Sequence, residues 1–248
     1  MNTDTNTAAP PLEFPPMHDQ PLPVIAMLLY PGLTLQDLLG PHTALSFSCQ
    51  VHLVWKTKDP IVTDSGITIH PTMTLAECPK EVDAIFVPGG PGTISCLSDP
   101  EVLGFLADIG SRAKYVTSVC TGSLVLGAAG LMDGYRATSH WAYVDELALF
   151  GAIPTRQRVV TDRNRVSGGG VTAGLDFGLT ILAKLLGDEV AKMTQLMIEY
   201  DPAPPFNSGT PEVAEPAVIQ KVGAVLADLD IVMKQACVTA GNRHKSRG

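Results

Sequence analysis

The chain has 248 residues, 45% hydrophobic and 17% charged, with a net charge of −8. That is enough for one large α/β domain with a full core, or two small ones. The acidic balance, with no Lys/Arg stripe outside Arg243 to Arg247, argues against a nucleic-acid partner.

Met1 to Gln20 has no basic start and no apolar run and is rich in Pro, Thr and Asn. It does not read as a signal peptide, and residues 1–21 are expected to be a disordered lead-in. No uninterrupted apolar run approaches the roughly 18 residues of a membrane span. Pro23 to Leu29 is a continuous apolar run, the expected first buried strand. Tyr30-Pro31-Gly32 turns, and Thr34 to Phe47 reads as a helix, with Thr34 as N-cap and Gly40-Pro41 expected to kink or restart it. Asp37 falls in its first turn, where an acid serves the helix dipole or, at a strand's carboxyl edge, chemistry. Val51 to Lys56 alternates as a second strand, and Ile67 to His70 fits a short strand or hairpin arm.

Ala84 to Val87 predicts a buried strand ending in Pro88-Gly89-Gly90-Pro91-Gly92-Thr93. Glycines there let backbone N–H groups approach a ligand. No Walker A or G-x-G-x-x-G pattern is present, so an oxyanion donor at Gly90 fits better than a nucleotide site; a tight turn alone also explains the glycines. Pro100 to Arg112 reads as an amphipathic helix capped by Asp99. Arg136 to Thr138 begins a short strand, followed by Ser139-His140-Trp141 and a helix from about Ala142 to Leu149. Arg158 to Thr161 and Arg165 to Ser167 pair as a hairpin. Gly168-Gly169-Gly170 turns into a long apolar helix, Thr172 to Leu186, and another helix runs from Asp188 to Glu199. Pro202 to Gly209 is stiff and extended, and a last helix spans about Ala217 to Val238. Strands alternating with helices mean a mostly parallel sheet covered on both faces. Residues 22–200 are expected to form one domain, with 201–248 an extension whose single helix packs on it.

Five cysteines stand at 49, 78, 96, 120 and 237, with no C-x-x-C and no histidine at zinc-like spacing. This argues against a disulfide framework or a metal site and suits a cytoplasmic setting. Cys120 is distinctive. It sits where the β-branched stretch Tyr115 to Val119 meets the small and apolar residues Gly122 to Gly130. A strand turning sharply into a helix pushes the joining side chain out at the sheet edge, facing the free N–H groups of the helix start. Such a thiol is expected to have a lowered pKa and to be a good nucleophile. A buried, inert cysteine is the competing account.

The Cys120 turn, Pro88-Gly89-Gly90 and the early acid together resemble the DJ-1/PfpI superfamily over about Pro23 to Leu186. That resemblance implies a flavodoxin-like, class I glutamine amidotransferase-like three-layer sandwich, a homodimer, and a reactive cysteine hydrogen-bonded by an acid, here Asp37. Protease-like members carry His directly after the Cys; this chain has Thr121, and His140 is a packed histidine or a distant partner. Ser118 to Leu126, Ala137 to Tyr143, Gly168 to Gly174 and Glu199 to Gly209 resemble the isocyanide hydratase branch. The first three also resemble the amidase-like domain of AraC-type regulators, but the stretch after Tyr200 is too short for their DNA-binding half.

The branch resemblance implies cofactor-free, metal-free hydration of an isocyanide to an N-substituted formamide. Cys120 would attack the terminal carbon to give a thioimidate, with Asp37 supplying the proton. Backbone N–H groups of Gly90 and Thr121 would hold negative charge, and Trp141 and Phe206 would receive the substituent or serve equally as core or dimer-interface aromatics. Alternatives are a glyoxalase, deglycase or amidase, a redox sensor working through Cys120, and a regulator domain without its DNA-binding half.

Overall fold

The computed structural model describes residues 17–246. The expected lead-in lies mostly outside these residues. From Met17 the chain is placed: Met17 packs against the core, and the His18 ring nitrogen Nε2 lies 3.1 Å from the Ser48 carbonyl.

The elements follow the hydrophobic runs. β1 is Val24–Leu28, followed by α1, Leu35–Leu45, and β2, Gln50–Trp55. A small hairpin of β3, Ile61–Val62, and β4, Thr68–Ile69, precedes β5, Met73–Thr74. Then come β6, Ala84–Val87, a single-turn helix α2, Thr93–Cys96, and α3, Pro100–Arg112, which Asp99 caps by accepting from two N–H groups. β7, Tyr115–Val119, leads directly to α4, Gly122–Ala128. β8, Arg136–Ala137, pairs with β9, Ile153–Pro154, around a 3₁₀ helix, Val144–Phe150. The hairpin of β10, Val159–Asp162, and β11, Arg165–Gly168, precedes α5, Ala173–Leu186, α6, Asp188–Met197, and α7, Pro216–Lys245.

Seven strands form the main sheet in the order β10-β11-β7-β6-β1-β2-β5. All neighbouring pairs are parallel except the β10–β11 hairpin. β1 and β6 lie at its centre, and all of β6 is buried, as expected for strands covered on both faces.

Two local expectations change. Pro41 neither breaks nor restarts α1, which runs unbroken across it. The small residues there serve helix packing instead: a Cβ on Gly174 would lie 2.8 Å from Pro41 Cδ, and one on Gly178 would lie 2.7 Å from the Ala44 Cβ. α1 and α5 can approach so closely only because both faces are small. The helix expected from Ala142 is a shorter 3₁₀ turn, begun after Tyr143 N–H bonds the His140 carbonyl and stopped by Gly151 at φ 74°.

α7 is longer than the sequence suggested. Its C-terminal half buries Met233, Cys237, Ala240 and Gly241, with Gly241 against Leu149. Its N-terminal half leaves Val218, Val222 and Val225 exposed. Among the described residues no helix is long and apolar enough to cross a membrane.

Candidate active site

Three adjacent parallel strands, β7, β6 and β1, end at one edge. From β1 the chain first steps outward to β2 and β5, then returns to place β6 and β7 on the other side. Such a reversal opens a crevice at the carboxyl ends of the strands. Each of the three strands delivers one part of the site into it.

β7 delivers Cys120 at φ 57°, a left-handed conformation that costs a non-glycine residue energy. The surroundings over-determine it. Its N–H donates to the carbonyls of Gly168, at 3.1 Å, and Gly169, at 2.7 Å. Its own carbonyl accepts from the hydroxyls of Ser123, at 3.1 Å, and Ser139, at 2.9 Å. Strain held by four main-chain bonds at a single residue is typical of functional sites.

The first turn of α1, following β1, delivers Asp37, which is fully buried. Its Oδ2 accepts from Gly89 N–H at 2.9 Å, and its Oδ1 has no hydrogen-bond partner among the described residues. The Cys120 thiol is close enough to this carboxyl for each group to shift the other's pKa. Burial raises the Asp37 pKa from 3.8 to about 7, against the opposing pull of Gly89 N–H and the thiol. The thiol itself is pushed up, by burial first and by the Asp37 carboxylate second; Thr121 pulls it down without prevailing. This corrects the expectation of a lowered thiol pKa. With Cys120 only 5% exposed, desolvation outweighs the helix start. The pair therefore keeps a proton between its two members near neutral pH.

β6 delivers the glycine turn. A Cβ on Gly89 would lie 2.5 Å from Thr121 N, 2.7 Å from Thr121 Oγ1 and 2.8 Å from Asp37 Oδ2. Only glycine lets Asp37 and Cys120 meet across this loop. Gly89→Ala is expected to lower turnover about 10²-fold by displacing one or both groups. A variant of unchanged activity in a steady-state assay would show that the loop yields freely. Gly90, at φ 131°, does not have the free N–H expected of an oxyanion donor: it donates to Thr121 Oγ1 at 3.0 Å. Gly90 thus clamps Thr121, whose backbone and side chain both pull the thiol pKa down.

A cleft of about 390 Å³ lies beside this centre. Ser139 and Gly169, which hold the Cys120 main chain, line it together with His140, Trp141 and Val171. Trp141 lines this cleft, whereas Phe206 is 80% exposed and does not. The Pro-rich segment instead contributes Gly209 to Glu212, because an extended chain carries its residues past the cleft in turn. His140 Nδ1 accepts from Ala142 N–H at 3.3 Å, and the ring packs against Trp141 with centroids 5.4 Å apart. Burial lowers its pKa, which keeps it neutral. No hydrogen bond joins it to the Cys120 thiol among the described residues.

Sequence reading missed Gly89, Tyr30, Thr93 and Ser139. Ser139 stood inside a quoted motif, three residues after the start of β8. Tyr30 and Thr93 carried no signal beyond standing next to turns. Among the described residues no cluster of three or more His, Cys, Asp or Glu is placed to hold a metal.

A parallel α/β sandwich with a strained cysteine at a strand-helix turn, opposed by a buried carboxyl from the first helix, defines a class of cysteine-centred proteins. The sequence pattern of the DJ-1/PfpI family matches residues 24–184, and the chain belongs to that family. It is 49% identical over 199 residues to an isonitrile hydratase of Pseudomonas putida, covering 79% of this chain and 87% of that one. It is 28% identical over 175 residues to an HTH-type transcriptional regulator of Pseudomonas aeruginosa, covering 66% of this chain but 51% of the regulator. A solved ThiJ/PfpI family protein from Pseudomonas syringae superposes with a TM-score of 0.86 at 47% identity, covering 94% of this chain and 98% of that chain.

Proposed function

We propose that this protein hydrates isocyanides to N-substituted formamides, with Cys120 as nucleophile and Asp37 as proton carrier. One observation carries the reading: a fully buried carboxyl, its pKa raised to about 7 by burial, acts on the thiol of the strained turn. The similarity to the Pseudomonas putida isonitrile hydratase supports the substrate class.

An isocyanide needs a soft nucleophile and an acid at the same carbon. As the Cys120 sulfur bonds the terminal carbon, the thiol proton passes to the Asp37 carboxylate, and the carboxyl delivers a proton to that carbon. The product is a thioimidate, with sulfur and hydrogen on one carbon and a C=N bond to the substituent. Asp37, again a carboxylate, takes a proton from an attacking water and returns it to nitrogen. The resulting tetrahedral adduct carries OH, S and NH on one carbon. It collapses to the formamide C=O, breaking the C–S bond and returning the hydroxyl proton to sulfur. Thr121 N–H and its hydroxyl stabilise negative charge on sulfur as it departs. These steps use protein groups and water alone. The substituent occupies the cleft beside Trp141.

The reactive form holds one proton between Asp37 and Cys120. Below pH 7 the pair gains a second proton and the acceptor is lost. The rate, kcat/KM, is therefore expected to rise with pH through about 7 and then level off. A profile flat from pH 5.5 to 8.5 would exclude Asp37 as the proton acceptor. Incubation with p-nitrophenyl isocyanide, with formamide read by chromatography, tests the activity; no formamide beside conversion of methylglyoxal would favour a glyoxalase. A redox-sensor role fits less well, because a thiol that is buried and pushed upward is slow to oxidise. The exposed valines on the first half of α7 support the homodimer that belongs to the same reading.

A further inference from the structure

The cleft beside Cys120 has a neighbour. A second cavity, of about 90 Å³, is lined by Trp141, Pro211, Ala214, Val218, Ile219 and Val222. Trp141, Gly209, Thr210 and Pro211 line both spaces, which adjoin at these four residues. The shared residues are held in place. The Trp141 ring packs on His140, and its carbonyl accepts from Arg156 Nη1 at 3.3 Å. The Thr210 carbonyl accepts from the N–H groups of Val213, at 3.2 Å, and Ala214, at 2.9 Å. That turn takes the chain from the cleft to the start of α7, which supplies Val218, Ile219 and Val222.

The two spaces differ in chemistry. Arg156, Arg158 and Glu212 line the cleft. Both arginines are already paired, Arg156 with Asp145 and Arg158 with Asp176, each at 2.6 Å. An anionic substituent therefore finds no unpaired cation there, and Glu212 repels it. No charged residue lines the small cavity, whose polar side chains are the hydroxyls of Ser208 and Thr210. Val218 and Val222 are 41% and 38% exposed, so an apolar group seated against them takes water off their surfaces. The cavity has room for the end of a narrow chain, not for a second ring system.

We propose that the substrate carries an unbranched apolar chain, which runs along the cleft, passes Trp141 and ends against Pro211, Ala214 and the first turns of α7. This names the substrate class of the hydratase reading and rests on it: the isocyanide carbon lies at Cys120, and the far end of the chain is sensed in the small cavity. Ala214 and Val222 set the specificity, because they line the small cavity and not the cleft. A short substituent ends within the cleft and gains nothing from either residue. Val218 and Val222 also belong to the exposed apolar face of α7. A contact with a second copy at that face would not depend on the length of a substrate chain, which separates the two uses.

The test measures kcat/KM of the full chain for ethyl, n-butyl, n-hexyl and n-octyl isocyanide, beside calorimetric Kd values for the matching N-alkyl formamides, which need no turnover. Each methylene that reaches the small cavity should improve both by about threefold, so octyl should exceed butyl by at least about tenfold. Ala214→Phe fills the cavity with a ring: octyl should fall to about the butyl level, with butyl changed less than about twofold. Val222→Thr keeps the shape and puts a hydroxyl into the apolar space: octyl should lose about fivefold and butyl nothing. No gain from butyl to octyl in the parent overturns the proposal, as does a folded Ala214→Phe protein that keeps the gain or weakens both chains alike. If Ala214→Phe does not fold, Val222→Thr decides: a loss confined to the longer chains supports the cavity, and an unchanged profile overturns it. Length-dependent formamide binding that Ala214→Phe abolishes, with no isocyanide turnover in the parent, would sink the hydratase reading and leave the chain-binding cavity standing.

Discussion

Cys120→Ala is expected to abolish the proposed isocyanide hydration, by at least about 10⁴-fold, while the sandwich stays folded. The other four cysteines cannot substitute. Cys49, Cys78, Cys96 and Cys237 are buried with raised pKa values as Cys120 is, but none of the four has Asp37 acting on it. None of them sits on a strained turn. Alanine carries the same left-handed cost as cysteine at φ 57°, so the backbone bonds to Gly168 and Gly169 remain and the fold pays only the packing of one sulfur. Cys120→Ser keeps the shape and also loses turnover, because a hydroxyl does not ionise beside a carboxylate. Formamide production by a purified alanine variant, at any rate above one part in a hundred of the parent, would remove Cys120 from the chemistry.

Asp37→Asn is expected to have two consequences of opposite sign: a rate lower by about 10²- to 10⁴-fold, and a protein more stable at alkaline pH. The folded carboxyl titrates near 7 and the unfolded one near 3.8. Below pH 4 both are neutral, and ionisation costs the fold nothing. Between 4 and 7 the unfolded chain ionises first, so stability declines as pH rises. Above 7 the full cost is present. A shift from 3.8 to about 7 is about three units, at about 1.4 kcal/mol each, or about 4 kcal/mol as an upper bound. Asparagine keeps an oxygen for Gly89 N–H and removes the charge. Chemical denaturation of both proteins at pH 4.5 and pH 8 should show the variant gaining several kcal/mol relative to the parent only at the higher pH. An equal difference at both pH values would mean that Asp37 ionises in the fold without cost, and its poise near neutrality would be refuted.

The central strands β1 and β6 were legible because they are short apolar runs without internal polar residues, and glycines mark where they stop, whereas the two-residue edge strand β5 left no such signal. The hairpin of β10 and β11 and the Asp99 cap were legible for similarly local reasons. Cys120 and Asp37 were readable because each stands at a fixed offset from a strand end. Their charge state was not. Whether a thiol at a helix start ionises depends on how much water reaches it, and that is set by residues from β1, β6 and β11 folding over it. Gly90 was readable as a glycine that lets the backbone come close, but the partner of its N–H depended on where Thr121 lands. Phe206 failed as a lining residue because an extended, proline-rich chain has no periodicity from which to tell inward from outward.

The carbonyls that hold the Cys120 backbone come from Gly168 and Gly169, nearly fifty positions downstream. A ribosome makes the cysteine long before it makes those clamps. A nascent chain halted before Gly169 therefore lacks both acceptors, and the left-handed turn at Cys120 is set only once the β11 segment has emerged and docked.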